Sequence, residues 1–318
     1  MNNLFINGFI KKTVNDNDTL VVEHWDGGCF SCCTVKFHNI VMYCKIFNKL
    51  PEFIECEKQF SYYKSYDIIQ EDEKKQIEKR TSYSNNAIIG KKNYTDITPL
   101  LFIIDENVNI YNHCNFNIDL QYYDYRILDY TNITPYIKKY FKLSDEVYKC
   151  VDFLEKKYNI DYNKTFSIFF RGNDKQLEIN QPSYKEMIDK VRLVSGKEDS
   201  DIKFLIQTDE KEFLNECMEE FKNNCIYFNE IPQINKSNSG NILLDVSENK
   251  IQILQFFIAS LYIISKTNKI FCTSGNCELW IMLFRTNCNN IYQYLNNKEY
   301  VYGQKNQKYI IKDNYFLL

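Results

Sequence analysis

The chain has 318 residues, of which 44% are hydrophobic and 25% are charged, and its formal net charge is −3 at pH 7. This length and composition predict a globular protein of two domains, with a core rich in phenylalanine and tyrosine. The small negative charge argues against broad binding to nucleic acids or anionic membranes, although it leaves room for a local basic pocket.

Residue usage is strongly biased. Only two alanines occur, Ala87 and Ala259, while Asn, Lys, Ile and Tyr are abundant. This bias is typical of an AT-rich genome, such as that of a virus or a protozoan. An arginine kept in such a background indicates a position where the planar guanidinium matters more than a point charge. Arginine occupies five positions: Arg80, Arg126, Arg171, Arg192 and Arg285.

The N-terminal residues lack the basic and apolar regions of a secretion signal. The longest apolar stretch, 251–265, is too short for a bilayer span and predicts a buried helix. Twelve cysteines in such a chain predict reduced thiols and a cytoplasmic location. A zinc site at Cys29, Cys32 and Cys33 is the alternative, but with no second C-x-x-C and three histidines in the chain, packing residues at a helix start are favoured.

The N-terminal part, 1–150, predicts an α/β domain. Residues 19–25 read as a strand, "DGGCFSC" as a glycine loop, and 33–50 as a helix that ends at Pro51. The charged segment 68–80 predicts a solvated helix, and 98–105 a further buried strand.

A predicted helix at 144–158, with Ser144 as its N-cap, spans the boundary and leads into the C-terminal part, 151–300. Short apolar strands then alternate with helices, which predicts a Rossmann-like parallel sheet. The tail, 301–318, is expected to pack back on the N-terminal domain. The predicted strands are 165–170, 201–208, 225–230 and 269–274, and the predicted helices are 182–194, 211–222, 250–265 and 277–285.

Polar residues follow three of these strands directly. "RGNDK" follows 165–170, "TDE" follows 203–208, and "TSGN" follows 269–273 at a helix start. Ligands bind at the carboxyl ends of strands in parallel sheets, so the three loops are expected to share one site.

These residue types favour a nucleotide diphosphate. Arg171 and Lys175 supply positive charge, and an arginine grips two phosphate oxygens at once. The turn 273–276 supplies hydroxyls and N–H groups at a helix N-terminus, an anion site. Asp209 or Glu210 is suited to ribose hydroxyls or a base, and Asp174 to orienting a cation. The alternatives are solvated loops and an ordinary helix cap.

The same segments resemble a known family. "FFRGNDK" (169–175) is similar to the H-x-R-x-x-D-K signature of the fucosyltransferase superfamily, which includes α1,6-fucosyltransferases and protein O-fucosyltransferases. "FLIQTDEKEF" (204–213) resembles its strand–T-D-[DE]–helix segment, and "KIFCTSGNCELW" (269–280) resembles its C-T-x-S-S segment. "DGGCFSCCTVKFHNIVMYC" (26–44) is similar to the glycine loop and first helix at the acceptor cleft.

The resemblance implies a GT-B-like α/β fold, with two Rossmann-like domains facing each other across a cleft. It also implies transfer of a sugar, fucose from GDP-fucose, to a glycan or protein hydroxyl. Arg171 and Glu178 are then the catalytic residues, as the group that stabilises the leaving GDP and as the general base. Gly27 and Gly28 line the acceptor cleft. The implied nucleotide-sugar-binding residues are Arg171, Asp174, Lys175, Asp209, Glu210, Thr273, Ser274, Gly275 and Asn276.

The sequence departs from the family pattern at Phe169, which replaces the signature histidine, and at Gly172, where the α1,6 branch has a second arginine. The last motif reads Thr-Ser-Gly-Asn. A non-catalytic nucleotide- or glycan-binding relative therefore stays open as an alternative. Another nucleotide enzyme, such as a dehydrogenase, is disfavoured because no G-x-G-x-x-G follows a strand.

No cofactor and no metal is expected. Metal-dependent glycosyltransferases often carry Asp-x-Asp, and 16–18 and 199–201 match it by letter. Both motifs precede predicted strands, which puts them at the edge opposite to the expected site.

Overall fold

The computed structural model describes residues 4–6, 9–14, 17–22, 29–48, 50, 101–196, 201–236, 250–295, 299–301, 308–310 and 315–317. The chain divides into two compact units. The first takes in the residues up to Ile118 together with Asp129–Ser144, and the second takes in Asp119–Leu128 together with the residues from Asp145 onwards. The segment 119–128 thus belongs to the second unit, although both of its flanks belong to the first.

The second unit contains a six-stranded sheet in the order β13-β10-β9-β6-β7-β8. The five strands from β6 to β10 pair parallel to one another, and β13 pairs antiparallel with β10. The strands are β6 (Thr165–Phe170), β7 (Lys203–Thr208), β8 (Cys225–Tyr227), β9 (Lys269–Cys272), β10 (Ile291–Leu295) and β13 (Tyr315–Leu317).

Helices connect the parallel strands, as parallel connections require. Their amphipathic sequences direct one stripe to the core, and α4 begins with a capping box formed by Ser183 and Glu186. The helices of this unit are α3 (Asp145–Tyr158), α4 (Tyr184–Ser195), α5 (Lys211–Phe221), α6 (Lys250–Lys266) and α7 (Asn276–Arg285).

Successive side chains of β6 point to opposite faces of the sheet. All six are buried, so both faces of the sheet are covered at this strand. Phe166, Ile168 and Phe170 share one core cluster with buried residues of α4 and α5. The helices α3, α6 and α7 pack on one another through aromatic rings. Tyr262 of α6 lies with its ring centroid 5.9 Å from the rings of both Tyr148 and Phe284.

The described strands of the first unit pair antiparallel. A three-stranded sheet has the order β1-β2-β3, and β4 pairs with β5. Two helices accompany them, and Phe37 of α1 packs its ring against Phe116 and Phe141. The elements are β1 (Leu4–Ile6), β2 (Phe9–Val14), β3 (Asn17–Val22), α1 (Cys29–Phe47), β4 (Phe102–Ile103), α2 (Tyr130–Tyr140) and β5 (Lys142–Leu143).

The predicted α/β class is confirmed, and the predicted parallel sheet is present in the second unit. In the first unit the order strand, glycine segment, helix is present in β3 and α1, but β3 belongs to an antiparallel sheet. Its pairing with β2 leaves two residues between Val14 and Asn17, a connection that joins only antiparallel strands. The predicted helix at 68–80 lies outside the described residues.

Part of the tail takes part in strand pairing. Tyr315–Leu317 pairs with β10 in the second unit. This pairing satisfies backbone groups that an edge strand otherwise exposes. The predicted packing of 301–318 on the N-terminal domain stays a prediction. The remaining described strands of this region, β11 (Glu299–Val301) and β12 (Lys308–Ile310), pair with each other.

Within the described parts of the chain, every helix is too short or too polar to cross a lipid bilayer.

Candidate functional site

Three polar loops follow β6, β7 and β9 at the carboxyl edge of the parallel sheet. After β6 the chain adds β7 and β8 on one side, and then returns to add β9 and β10 on the other. The strand order therefore reverses between β6 and β9. Open parallel sheets bind ligands in the crevice at such a switch point. Arg171 follows β6 and Thr273 follows β9, so the two loops lie on either side of it.

Arg171 links the loop after β6 to the helix after β9. Its Nη1 donates to the Sγ of Cys277, in the first turn of α7, at 3.6 Å. Its Nε lies 3.7 Å from the Oδ2 of Asp209, which follows β7. The Arg171 side chain is 22% exposed, so the guanidinium is held at the edge of the sheet and still reaches solvent.

Glu210 is the buried support of the 172–173 turn. Its carboxylate accepts the N–H of Asn173 at 2.8 Å and the hydroxyl of Tyr184 at 2.6 Å. Burial, together with the hydrogen bond to this carboxylate, raises the pKa of Tyr184. A Cβ atom on Gly172 would fall within 3.0 Å of the carboxyl atoms of Glu210, so only glycine fits there. The predicted contact of Glu210 with a ribose stays a prediction.

Asp209 supports the same turn from a more exposed position. Its Oδ1 accepts the N–H of Gly172 at 3.0 Å, and its side chain is 15% exposed. Burial raises the pKa of the Asp209 carboxyl, while the nearby Arg171 charge and the Gly172 N–H act in the opposite direction. Asp209 therefore orients Arg171 and leaves part of its carboxylate open to solvent.

Lys175 and Glu178 form an ion pair on a single turn of 3₁₀ helix, Asn173–Leu177 and its C-cap. The Nζ of Lys175 donates to the Oε2 of Glu178 at 2.5 Å. The hydroxyl of Tyr122 donates to the same oxygen at 2.9 Å, and the ring of Tyr122 lies 5.8 Å from Nζ. Glu178 is 34% exposed and Lys175 is 10% exposed. The predicted base thus lies at the site and is fixed by two donors.

The turn 273–276 is clamped by side chains from two other segments. Ser274 donates to the carbonyl of Tyr294 at 2.8 Å and accepts from the Nε2 of Gln293 at 3.0 Å. The N–H of Gly275 donates to the hydroxyl of Tyr125 at 3.2 Å. Gln293 and Tyr125 are joined as well, since the Tyr125 N–H donates to the Gln293 side chain at 3.0 Å. Predicted ligand groups on Ser274 and Gly275 therefore already have protein partners.

Glu278 is a buried carboxyl at the third position of α7. It is 1% exposed, and its Oε1 accepts the hydroxyl of Thr273 at 2.6 Å. Burial raises its pKa, whereas the Thr273 hydroxyl and the charges of Lys175 and Arg171 favour the ionised form. Thr273 is itself 1% exposed, so its hydroxyl serves this carboxyl.

The arrangement suits an anion. Two cations and the first turn of a helix meet at the switch point, where helix N–H groups and the helix dipole favour negative charge. Asp209, Glu178 and Glu278 balance the cations from within the protein. An incoming phosphate would compete with these carboxylates for Arg171 and Lys175.

Sequence reasoning missed four residues of this cluster: Tyr122, Tyr125, Glu278 and Gln293. Two of them carry a signal in the sequence. Glu278 is the one acidic residue in the apolar helix "CELWIMLF", and Gln293 takes an inward position in the alternating strand "IYQYL". A buried polar residue usually has a specific partner. The two tyrosines carry no signal in a chain with 25 tyrosines.

Some predicted positions cannot be placed. Gly27 and Gly28 lie outside the described residues, as does the side chain of Asp174. Of the Asp-x-Asp candidates, Asp201 lies at the amino end of β7, where it pairs with Lys164 at 3.2 Å. Asp18 lies within β3 of the first unit. Among the side chains that are described, no group of three or more His, Cys, Asp or Glu is arranged to hold a metal ion.

Phe169, which stands where the resembled signature has histidine, has a buried side chain. It is 2% exposed and lines a small pocket at the ends of β6 and β7 with Gln207, Phe257, Arg171 and Asp209. The Phe169 ring thus lines the same pocket as the Arg171 and Asp209 side chains. The side chain of Phe169 supplies an apolar wall there, whereas its backbone carbonyl accepts the N–H of Thr273 at 3.3 Å.

We expect Gly172→Ala to destabilise the second unit by about 1–3 kcal/mol. The added methyl group would displace the Glu210 carboxylate from Asn173 and Tyr184, which leaves buried polar groups without partners. Urea denaturation followed by circular dichroism measures the change.

The matched control is the same substitution in a Glu210→Ala background, which has no carboxylate to displace. Gly172→Ala should then cost less than half as much, as the double-mutant cycle reports the coupling between two residues in contact. Equal costs in both backgrounds would contradict this role of Glu210.

Comparison with protein-family models and with curated proteins finds no match. Solved structures of the α1,6-fucosyltransferase NodZ show a partial likeness. The structure co-crystallised with GDP has 11% identity and a TM-score of 0.33, over 48% of this chain and 45% of that chain. The structure soaked with GDP-fucose has 12% identity and a TM-score of 0.32, over 45% and 43%. A selenomethionine form of NodZ from Bradyrhizobium has 11% identity and a TM-score of 0.32, over 54% and 49%. The matched part of this chain thus covers less than half of the NodZ chain in each of these three structures.

Proposed function

We propose that the protein is a glycosyltransferase that moves a sugar from a nucleotide diphosphate donor to a hydroxyl acceptor. One observation carries the proposal: Arg171 and Lys175 meet the N-terminus of α7 at the switch point of the parallel sheet. This is the place where such sheets bind ligands, and the groups there are those that hold a diphosphate. The donor that the sequence resemblance implies is GDP-fucose.

The reaction requires little covalent chemistry from the protein. The acceptor oxygen bonds to the anomeric carbon, while the bond from that carbon to the β-phosphate oxygen breaks. The acceptor proton passes to Glu178, and the electron pair leaves with GDP. Arg171 and the N–H groups of α7 stabilise the charge that builds up on the leaving phosphate, which is electrostatic preorganisation.

The remaining assignments follow from this reaction. Lys175 and Asp209 complete the donor site, with Asp209 orienting the guanidinium that it faces. The acceptor in this proposal is a glycan or a protein hydroxyl. No metal or cofactor takes part in this proposal, and the cytoplasmic location expected from the cysteines stays a prediction.

A second candidate function is favoured by the ion pair of Lys175 and Glu178. Because the carboxylate of the proposed base is held by Lys175 and Tyr122, it has a structural role that needs no turnover. A non-catalytic nucleotide- or glycan-binding protein with the same fold would keep these contacts. Binding without turnover distinguishes this candidate from the transferase.

We expect GDP to raise the melting temperature selectively over UDP and ADP. A ligand at about 100 times its Kd stabilises a protein by roughly 2.7 kcal/mol, which corresponds to several degrees. Arg171→Ala should abolish the shift, because it removes the group that faces the diphosphate. Differential scanning fluorimetry measures all three nucleotides.

The control is Arg192→Ala. Arg192 lies in the last turn of α4, in the part of the chain that leads to the amino end of β7, and it pairs with Glu220. This variant should keep the full GDP shift. A UDP-selective shift would change the proposed donor, and no shift with any nucleotide would contradict a nucleotide site.

Glu178→Gln should lower the rate of sugar transfer by about 10²–10⁴, the usual contribution of a general base. Affinity for GDP should change little, since the amide oxygen of the introduced glutamine still accepts from Lys175. Release of GDP from GDP-fucose, measured with an acceptor panel, gives the rate. Turnover by Glu178→Gln at the wild-type rate would rule out Glu178 as the base.

Turnover should be the same in EDTA and in added Mn²⁺. Arg171 and the first turn of α7 take the role that a divalent cation has in metal-dependent transferases. A loss of activity in EDTA that Mn²⁺ restores would overturn this expectation.

A further inference from the structure

The proposed reaction leaves the buried carboxyl of Glu278, which lies next to the site, without a role. Its Oε1 accepts from Thr273, whereas its Oε2 is fully buried and has no hydrogen-bond partner among the described residues. Burying a carboxylate oxygen without a partner is costly unless cations lie nearby or the group takes up a proton. The position of Oε2 therefore needs an explanation.

Oε2 lies beneath the turn that faces the switch point. A Cβ atom on Gly275 would be 2.8 Å from Oε2 and 3.4 Å from the Cε of Lys175. The carboxyl and the lysine stem thus both lie close to the same glycine. Arg171 reaches the same turn of α7 through Cys277, the residue before Glu278. The charges of both cations that the proposed function assigns to the diphosphate act on the carboxyl of Glu278.

We propose that Glu278 is a positioning residue for the donor diphosphate. In its ionised form it holds Lys175 and Arg171 towards the N-terminus of α7, and it takes up one proton when the diphosphate binds. This inference rests on the proposed function, because it requires a diphosphate at this edge of the sheet.

The direction of the effect follows from charge. Without ligand, the two cations and the helix N-terminus stabilise the ionised carboxyl against its burial. A bound diphosphate neutralises the cations and brings further negative charge, so the carboxyl becomes easier to protonate. Affinity is then constant below the pKa of the free protein and falls as the pH rises from that pKa to the higher pKa of the complex.

Other titratable groups near this carboxyl are Cys272, Cys277, Asp209 and Glu178. Burial raises the pKa of Cys277 to about 12 and that of Cys272 well above its ordinary value, so both thiols stay neutral over the range in question. Asp209 faces Arg171, and Glu178 faces Lys175. Both reach solvent, whereas Glu278 does not.

The test is calorimetric titration of GDP into the wild-type protein and Glu278→Gln, from about pH 5.5 to about pH 8.5. Glutamine keeps the size of the side chain and removes its titration. The ratio of the two Kd values cancels the ionisation of GDP itself. We expect this ratio, wild type over variant, to rise by up to tenfold per pH unit within the window.

Asp209→Asn is the matched comparison, because Asp209 contacts the same arginine. If Glu278 is the proton acceptor, the Kd of Asp209→Asn for GDP changes with pH as steeply as that of the wild type. A Kd ratio that is flat for Glu278→Gln overturns the inference and leaves the nucleotide site intact. No binding of GDP, UDP, ADP or inorganic pyrophosphate to the wild type contradicts the proposed function, and this inference falls with it.

A second measurement decides the matter if Glu278→Gln does not fold. Titration of the wild type at about pH 7 in two buffers of different ionisation enthalpy counts the protons exchanged on binding. GDP is largely ionised at this pH, since its terminal phosphate has a pKa of about 6. Net proton uptake supports the inference, and zero exchange or net release overturns it.

Discussion

The hydrogen bond from the Asn173 backbone to Glu210 fixes the geometry of the site. The strand β6 delivers Arg171 to the edge of the sheet, but the chain must turn at once to bring Lys175 back over the same edge. Glu210 makes that turn possible by accepting a buried N–H, and Gly172 makes room for it. The second oxygen of Glu210 accepts from Tyr184 at the start of α4. One carboxylate thus connects a strand end, a turn and a helix, and the positions of both cations depend on it.

The opposite side of the switch point is built in another way. The turn 273–276 is held by side chains from 119–128 and from β10, with Tyr125 and Gln293 bonded to each other as well as to the turn. Such mutually bonded polar groups cost little when every member has a partner, and they define one arrangement. The site therefore joins a rigid turn held by a carboxylate with a second turn held by a neutral network. Glu278 is the group between them whose charge depends on both.

The sequence predicts much of the second unit and less of the site. Alternating apolar strands and amphipathic helices between 144 and 285 carry strong periodic signals, and elements are present at each predicted position. The strand β10 was missed because Tyr and Gln alternate there without a continuous apolar run. The position of Arg171 at a strand end is local and readable. The tyrosine partners of Gly275 and Glu178 cannot be read from the sequence, because Tyr125 and Tyr122 lie more than 50 residues away in a segment without clear periodicity. The last strand, β13, joins its sheet by backbone pairing, which residue type does not specify.

The assignment of 119–128 to the second unit has a consequence for dissecting the chain. A separate piece that starts at residue 145 would contain every strand of the parallel sheet. Such a fragment would lack the phenol that binds Glu178 and the phenol that binds Gly275. Its strands could still pair, but Glu178 and Gly275 would lose their hydrogen bonds to Tyr122 and Tyr125. A fragment that keeps both turns of the site in their present contacts therefore has to include 119–128 as well as the residues from Asp145 onwards.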